Sequence, residues 1–111
     1  MNMPDFEQLT ECYKALGDQT RLQILSFLKE GERCVCELVQ ILNITQPAVS
    51  RHMRKLKNAK LVKERRSGQW VFYSLDGSIY PFFEKIVDSL PDSSEEIEKL
   101  NICDSGISCN S

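Results

Sequence analysis

Apolar residues recur at helical spacing through most of the chain. Phe6, Leu9, Tyr13 and Leu16, with Cys12 beside them, predict an amphipathic helix from Asp5 to Leu16. Gly17 and Asp18 interrupt it, and Asp18 is suited to cap a second helix. Leu22, Ile24, Leu25, Phe27 and Leu28 are more closely set, which predicts that this second helix lies deeper and ends at Gly31. A third helix is expected to begin near Cys34 and to carry Leu38, Val39, Ile41 and Leu42.

The next stretch, NITQPAVSRHMRKL, holds the strongest local signal. Thr45 is a natural N-cap, and Pro47 falls in the first turn, where a missing N–H costs little. Val49, Met53 and Leu56 then form one apolar stripe, while Ser50, Arg51, Arg54 and Asn58 lie opposite it. Two helices joined by a short turn, the second with a basic outer face, make a helix-turn-helix. In LVKERRSGQWVFYSL, β-branched and aromatic residues flank Ser67-Gly68, predicting a hairpin that turns at those two residues, with Arg65 and Arg66 near the tip. Ser78 is expected to cap a last main helix bearing Ile79, Phe82, Phe83, Ile86, Val87 and Leu90 and ended by Pro91. Ser93-x-x-Glu96 has the form of a capping box for one more short helical turn. The predicted fold is mainly α with a β-hairpin wing, a winged helix-turn-helix in the order α-α-α-α-β-β-α. Residues 1–91 form the DNA-binding and dimerisation domain, and 92–111 a flexible, cysteine-containing tail. The surplus apolar surface of the last helix points to a dimer.

Charge sharpens this picture. The chain carries a formal charge of −2, yet residues 51–66 hold eight basic side chains against the single acid Glu64. A +7 segment on an otherwise acidic chain is the footprint of a nucleic-acid partner. No apolar run is long enough to span a bilayer, and MNMPDFEQ lacks the character of a signal peptide, so a cytoplasmic protein without a membrane partner is expected.

A reducing compartment argues against a disulfide framework for the five cysteines and leaves metal binding, redox sensing or burial. Cys34 and Cys36 raise a geometric problem, because residues i and i+2 do not face each other on a helix. A shared role for both therefore requires the backbone there to depart from helix. The one histidine, His52, flanks the buried stripe, which favours a structural or phosphate-contacting role over ligation and excludes a histidine-rich metal site.

Three stretches, ALGDQTRLQIL at 15–25, ERCVCEL at 32–38 and TQPAVSRHMRKL at 45–56 with its hairpin, together resemble the ArsR/SmtB family of metal-responsive winged-helix repressors, in particular its arsenical-sensing branch. The resemblance spans about residues 5 to 90. It implies a homodimer, with the first and last main helices at the interface, that represses by sitting on an operator and is released when an ion binds. The operator would be double-stranded DNA with an imperfect inverted repeat. Gln46, Ser50, Arg51 and Arg54 are the residues expected to face it, with Arg65 and Arg66 on phosphates. Cys34 and Cys36 are the expected metal ligands, for As(III) or Sb(III), which take three thiolates. Bending of that first helical turn would then disturb the recognition helix packed beside it. A third cysteine known from one form of the motif is replaced by Val39, leaving Cys12, Cys103 or Cys109 to complete the site, with the tail pair preferred.

Two alternatives keep the DNA mechanism and change the signal: a soft divalent ion such as Cd(II) or Pb(II), or oxidation of the thiols. A thiol-disulfide enzyme is a different class of reading. It would show Cys-x-x-Cys on a βαβ scaffold and would leave the basic segment without purpose, so no enzymatic activity and no catalytic cofactor are expected.

Overall fold

The computed structural model describes residues 4–99. Helix α1 (Phe6–Leu16) starts at Asp5, whose carboxylate accepts from the Gln8 N–H at 2.8 Å. Asp18 caps α2 (Gln19–Lys29), accepting from the backbone of Thr20 and Arg21. Strand β1 (Arg33–Cys34) leads directly into α3 (Val35–Leu42), which ends where Asn43 adopts a left-handed φ of 56°. Thr45 caps α4 (Gln46–Asn58). Strands β2 (Val62–Ser67) and β3 (Trp70–Leu75) come next, then α5 (Phe83–Asp88) and α6 (Ser94–Lys99).

The core gathers the inward faces of these elements. Ile24, Leu25, Leu38, Val49, Met53, Leu56 and Leu61 are fully buried. Each such side chain contributes about 1.5–3 kcal/mol by leaving water. The stripe expected on α4 is thus the face that packs, which turns the opposite face outward.

The structure adds to and corrects the sequence expectations at four places. First, β1 makes the wing three-stranded, in the order β1-β3-β2 and antiparallel throughout. Two residues are too few to leave a periodic signal. Second, the hairpin turns at Gly68-Gln69 instead of Ser67-Gly68, because Ser67 still pairs with Trp70. Gly68, at φ 62°, thereby takes the first loop position, where glycine satisfies a primed turn. Third, the last main helix starts at Phe83, not after Ser78, whose hydroxyl donates to Asp76 at 3.3 Å. Pro81 accounts for the delay, since it disfavours helical backbone at Tyr80. Fourth, the short helix expected from Ser93-x-x-Glu96 forms as α6, and Ser93 just before it is buried with its hydroxyl against that of Ser26, so this part of the chain packs on α2.

Tyr80 compensates for the lost helical turns. Its hydroxyl donates to the Ala59 carbonyl at 2.5 Å and accepts from Gln8 Nε2 at 2.9 Å, joining α1 to the end of α4. Just before it, Gly77 has φ 67°, and a Cβ there would collide with the Phe83 ring. Gly77→Ala is therefore expected to cost about 2 kcal/mol or more, from left-handed strain and overpacking together. A urea unfolding curve checks it, and a midpoint equal to the parent's would show that Phe83 can yield.

Candidate nucleic-acid interface and thiol site

The geometric problem of Cys34 and Cys36 is resolved by the strand–helix junction. Cys34 is the last residue of β1 and the N-cap of α3, with an extended backbone at φ −86° and ψ 161°. Cys36 sits in the first turn of α3. The pair therefore does not lie on a continuous helix, and no unwinding is needed to free Cys34 from helical geometry. Glu37 secures the junction by accepting from the Cys34 N–H at 2.9 Å, and Arg33 pairs with the same carboxylate at 3.5 Å.

Cys34 is buried and Cys36 half-buried. Both are disulfide-bonded, which differs from the expectation of reduced thiols and places each sulfur within bonding reach of another sulfur. Cys12 is a free thiol in the core of α1. Burial raises its pKa, with a hydrogen bond to Tyr80 opposing the shift, and its surroundings are those of a packing residue. Among the described residues, no three His, Cys, Asp or Glu side chains are gathered to hold a metal ion. Cys103 and Cys109 lie outside the described residues.

The DNA-facing candidates divide into two groups. Gln46, Ser50, Arg51 and Arg54 are all exposed on α4, opposite its buried stripe. Arg65 and Arg66 are exposed on β2 but already engaged. Arg65 forms a two-pronged ion pair with Glu32, through Nε at 2.9 Å and Nη2 at 2.8 Å, and its guanidinium lies 4.7 Å from the Phe72 ring centre. Arg66 reaches Glu64 at 3.0 Å, where Lys57 also pairs at 3.1 Å and the Tyr73 hydroxyl donates at 3.2 Å. The Lys57 hydrogen bond, ahead of Tyr73 and Arg66, holds the Glu64 carboxyl below its usual range.

A cleft of about 230 Å³ joins the two regions. Cys34 and Cys36 line one side, Gln46 and Ser50 of α4 another, and Arg66 and Trp70 of the wing a third. Sequence reasoning missed the wing's share of this cleft, and the acidic partners Glu32 and Glu64 with it. The single acid within the basic block was the visible signal for Glu64. Nothing local announced Glu32, whose partner is 33 positions away.

Comparison with known proteins agrees with this architecture. Residues 18–64 match the family described as bacterial regulatory protein, arsR family. An arsenical resistance operon repressor of Escherichia coli K12 is 42% identical over 79 residues, which cover 70% of this chain and 68% of that protein. The chain belongs to the arsR family. Like the family, it is a DNA-binding transcriptional regulator and not an enzyme. Another relative, a cadmium resistance transcriptional regulatory protein CadC homolog of Staphylococcus aureus, is 42% identical over 69 residues, covering 61% of this chain and 57% of that protein. Among solved structures, the homodimeric winged helix-turn-helix domain Mb0332 of Mycobacterium bovis superposes with a TM-score of 0.65 at 27% identity, covering 78% of this chain and 86% of that one. No described helix is long and apolar enough to cross a membrane.

His52 lies on α4 and faces Arg21 of α2. Its Nδ1 lies 3.3 Å from Arg21 Nη1, and Arg21 in turn donates from Nε to the Ala15 carbonyl at 2.7 Å and from Nη2 to that of Lys14 at 3.1 Å. Burial pushes the His52 pKa below its ordinary value, and Arg21, Arg51 and Lys55 push the same way while Asp18 opposes. The unfolded chain therefore takes up a proton near pH 6.5 that the folded protein refuses. Stability from this group is complete above that pH and is lost as pH falls through it towards the folded value. Thermal melts should accordingly show a steeper fall in Tm between pH 7.5 and 5.5 for the parent than for His52→Gln; parallel pH profiles would contradict this.

Proposed function

We propose that this regulator is a repressor that holds operator DNA as a homodimer and lets go when As(III) or Sb(III) is bound by the thiolates of Cys34 and Cys36. The observation that carries this reading is the shared cleft, in which the cysteine pair faces both the recognition helix and the wing. Sulfur donors suit soft, thiophilic ions, and both cysteines must be reduced to thiolates before they can serve. In this reading, movement of the α3 N-terminus to serve a shared ligand shifts Gln46 and Ser50 against the groove. Cys103 or Cys109 supplies the further sulfur, since Cys12 is committed to the core.

For DNA binding, Gln46, Ser50, Arg51 and Arg54 enter the major groove, Arg66 exchanges its carboxylate for a phosphate, and Arg65 meets a phosphate while still paired with Glu32. Phe6 and Tyr13 are 89% and 58% exposed on α1, and Tyr13 stacks on Phe82 with ring centres 5.9 Å apart. That aromatic face is where a second copy docks. Twofold symmetry then places the two α4 helices on half-sites about 34–36 Å apart, in an imperfect inverted repeat. The site of action is the cytoplasm.

Fluorescence anisotropy on promoter DNA tests the reading, with arsenite and Cd(II) titrated separately into reduced protein. Release by arsenite at stoichiometric levels is the expected result. Release by Cd(II) alone would transfer the site to a soft divalent ion, in keeping with the CadC homolog. The disulfides at Cys34 and Cys36 favour a second reading, in which oxidation is the signal. Release by a thiol oxidant, reversed by reductant, with no response to either ion, would establish it.

Cys34→Ser is expected to keep operator affinity within about twofold while arsenite-induced release, typically about 5- to 150-fold in such couplings, disappears. Continued induction would remove Cys34 from the site. Arg54→Ala should weaken operator binding by roughly tenfold and leave arsenite uptake, followed by sulfur-to-arsenic absorbance, unchanged. Undiminished affinity would take Arg54 off the DNA.

A further inference from the structure

Glu32 stands two residues before Cys34 and reaches across the sheet to the wing. Its carboxylate accepts both hydrogen bonds of the Arg65 fork, while the same guanidinium lies over Phe72. The strand registers give this contact its meaning. Cys34 pairs with Phe72 across β1 and β3, and Phe72 pairs with Arg65 across β3 and β2. Cys34, Phe72 and Arg65 thus form one row through the sheet, and Glu32 closes it into a ring by returning from Arg65 to the chain just ahead of Cys34. The adjoining row, Arg33, Tyr73 and Glu64, is tied likewise by the Tyr73 hydroxyl and by the Arg33–Glu37 pair. A displacement of Cys34 must either break this ring or carry Arg65 with it.

We propose that Glu32 is a positioning residue that couples the thiol segment to the wing, so that a change of ligation at Cys34 and Cys36 withdraws Arg65 from the DNA. This rests on the reading of the cysteine pair as the effector site. It adds a second route to the one through α3 and α4, and it makes the wing a responding element instead of a fixed clamp. An exposed ion pair adds little to stability, so Glu32→Gln should fold normally and reveal its role only in coupling.

Operator affinity is measured with and without arsenite for the parent, Glu32→Gln, Arg65→Gln and the double variant, with arsenite uptake followed by absorbance. The expected result is that Glu32→Gln takes up arsenite as the parent does, yet loses about threefold of the arsenite-induced release, and that the double variant loses no more release than Arg65→Gln alone. An unchanged release factor in Glu32→Gln, or losses that multiply in the double variant, would overturn the proposal. Because coupling is reciprocal, operator DNA should also change the rate at which Cys34 and Cys36 react with a disulfide reagent in reduced protein, and Glu32→Gln should abolish most of that change. If the parent ignores arsenite, the inducer reading fails by itself, and the thiol-rate comparison still decides: equal DNA effects on parent and variant refute the role of Glu32, and a lost effect upholds it.

Discussion

The pairing of Cys34 with Phe72 is the contact on which the architecture of the thiol site, and the regulation proposed for it, turns. It holds Cys34 extended at the one point where a helical backbone would have turned its sulfur away from that of Cys36. It also makes the residue that opens α3 a member of the wing sheet. Two parts of the chain nearly forty positions apart thereby share a strand register, and the thiol pair sits at their junction. Without β1, the cysteines would belong to a helix end and the wing would be a free hairpin.

Electrostatics at the outer surface is less simple than a basic patch. Lys57, Arg65 and Arg66 are each held by a carboxylate, Glu64 or Glu32, in the structure. Such exposed pairs add little to stability. What they supply is geometry: long cationic side chains are held in one arrangement, with less rotamer freedom left to lose in any further contact. Ser50 and Arg54, on the outer face of α4, are by contrast exposed, which suits the division between positioning and reading in the proposed function.

Much of this was legible in the sequence. Asp5, Asp18 and Thr45 cap where expected, and the Val49, Met53 and Leu56 stripe is buried, because caps and helical periodicity are local signals. The cysteine pair and the exposed α4 residues could be named from spacing and resemblance. The rest depended on contacts distant in sequence. The two-residue strand β1 exists only through its partner β3, the turn at Gly68-Gln69 is set by cross-strand register, and Tyr80 before Pro81 delays α5 while its own side chain is claimed by Ala59 and Gln8. Glu32, likewise, is an ordinary surface acid until the wing folds against it.

The clasp made by Tyr80 has a consequence for the proposed homodimer. By joining Gln8 on α1 to Ala59 at the foot of α4, it ties the helix that offers the aromatic face to the helix proposed to meet DNA. In a symmetric pair tied in this way, the angle at which the subunits meet is converted directly into the distance between the two reading helices. A tilt of a few degrees at the subunit contact would move their tips by ångströms along the duplex. In the proposed dimer, the spacing of the operator's half-sites is thus a measurement of the subunit angle, with the Tyr80 hydroxyl at the joint.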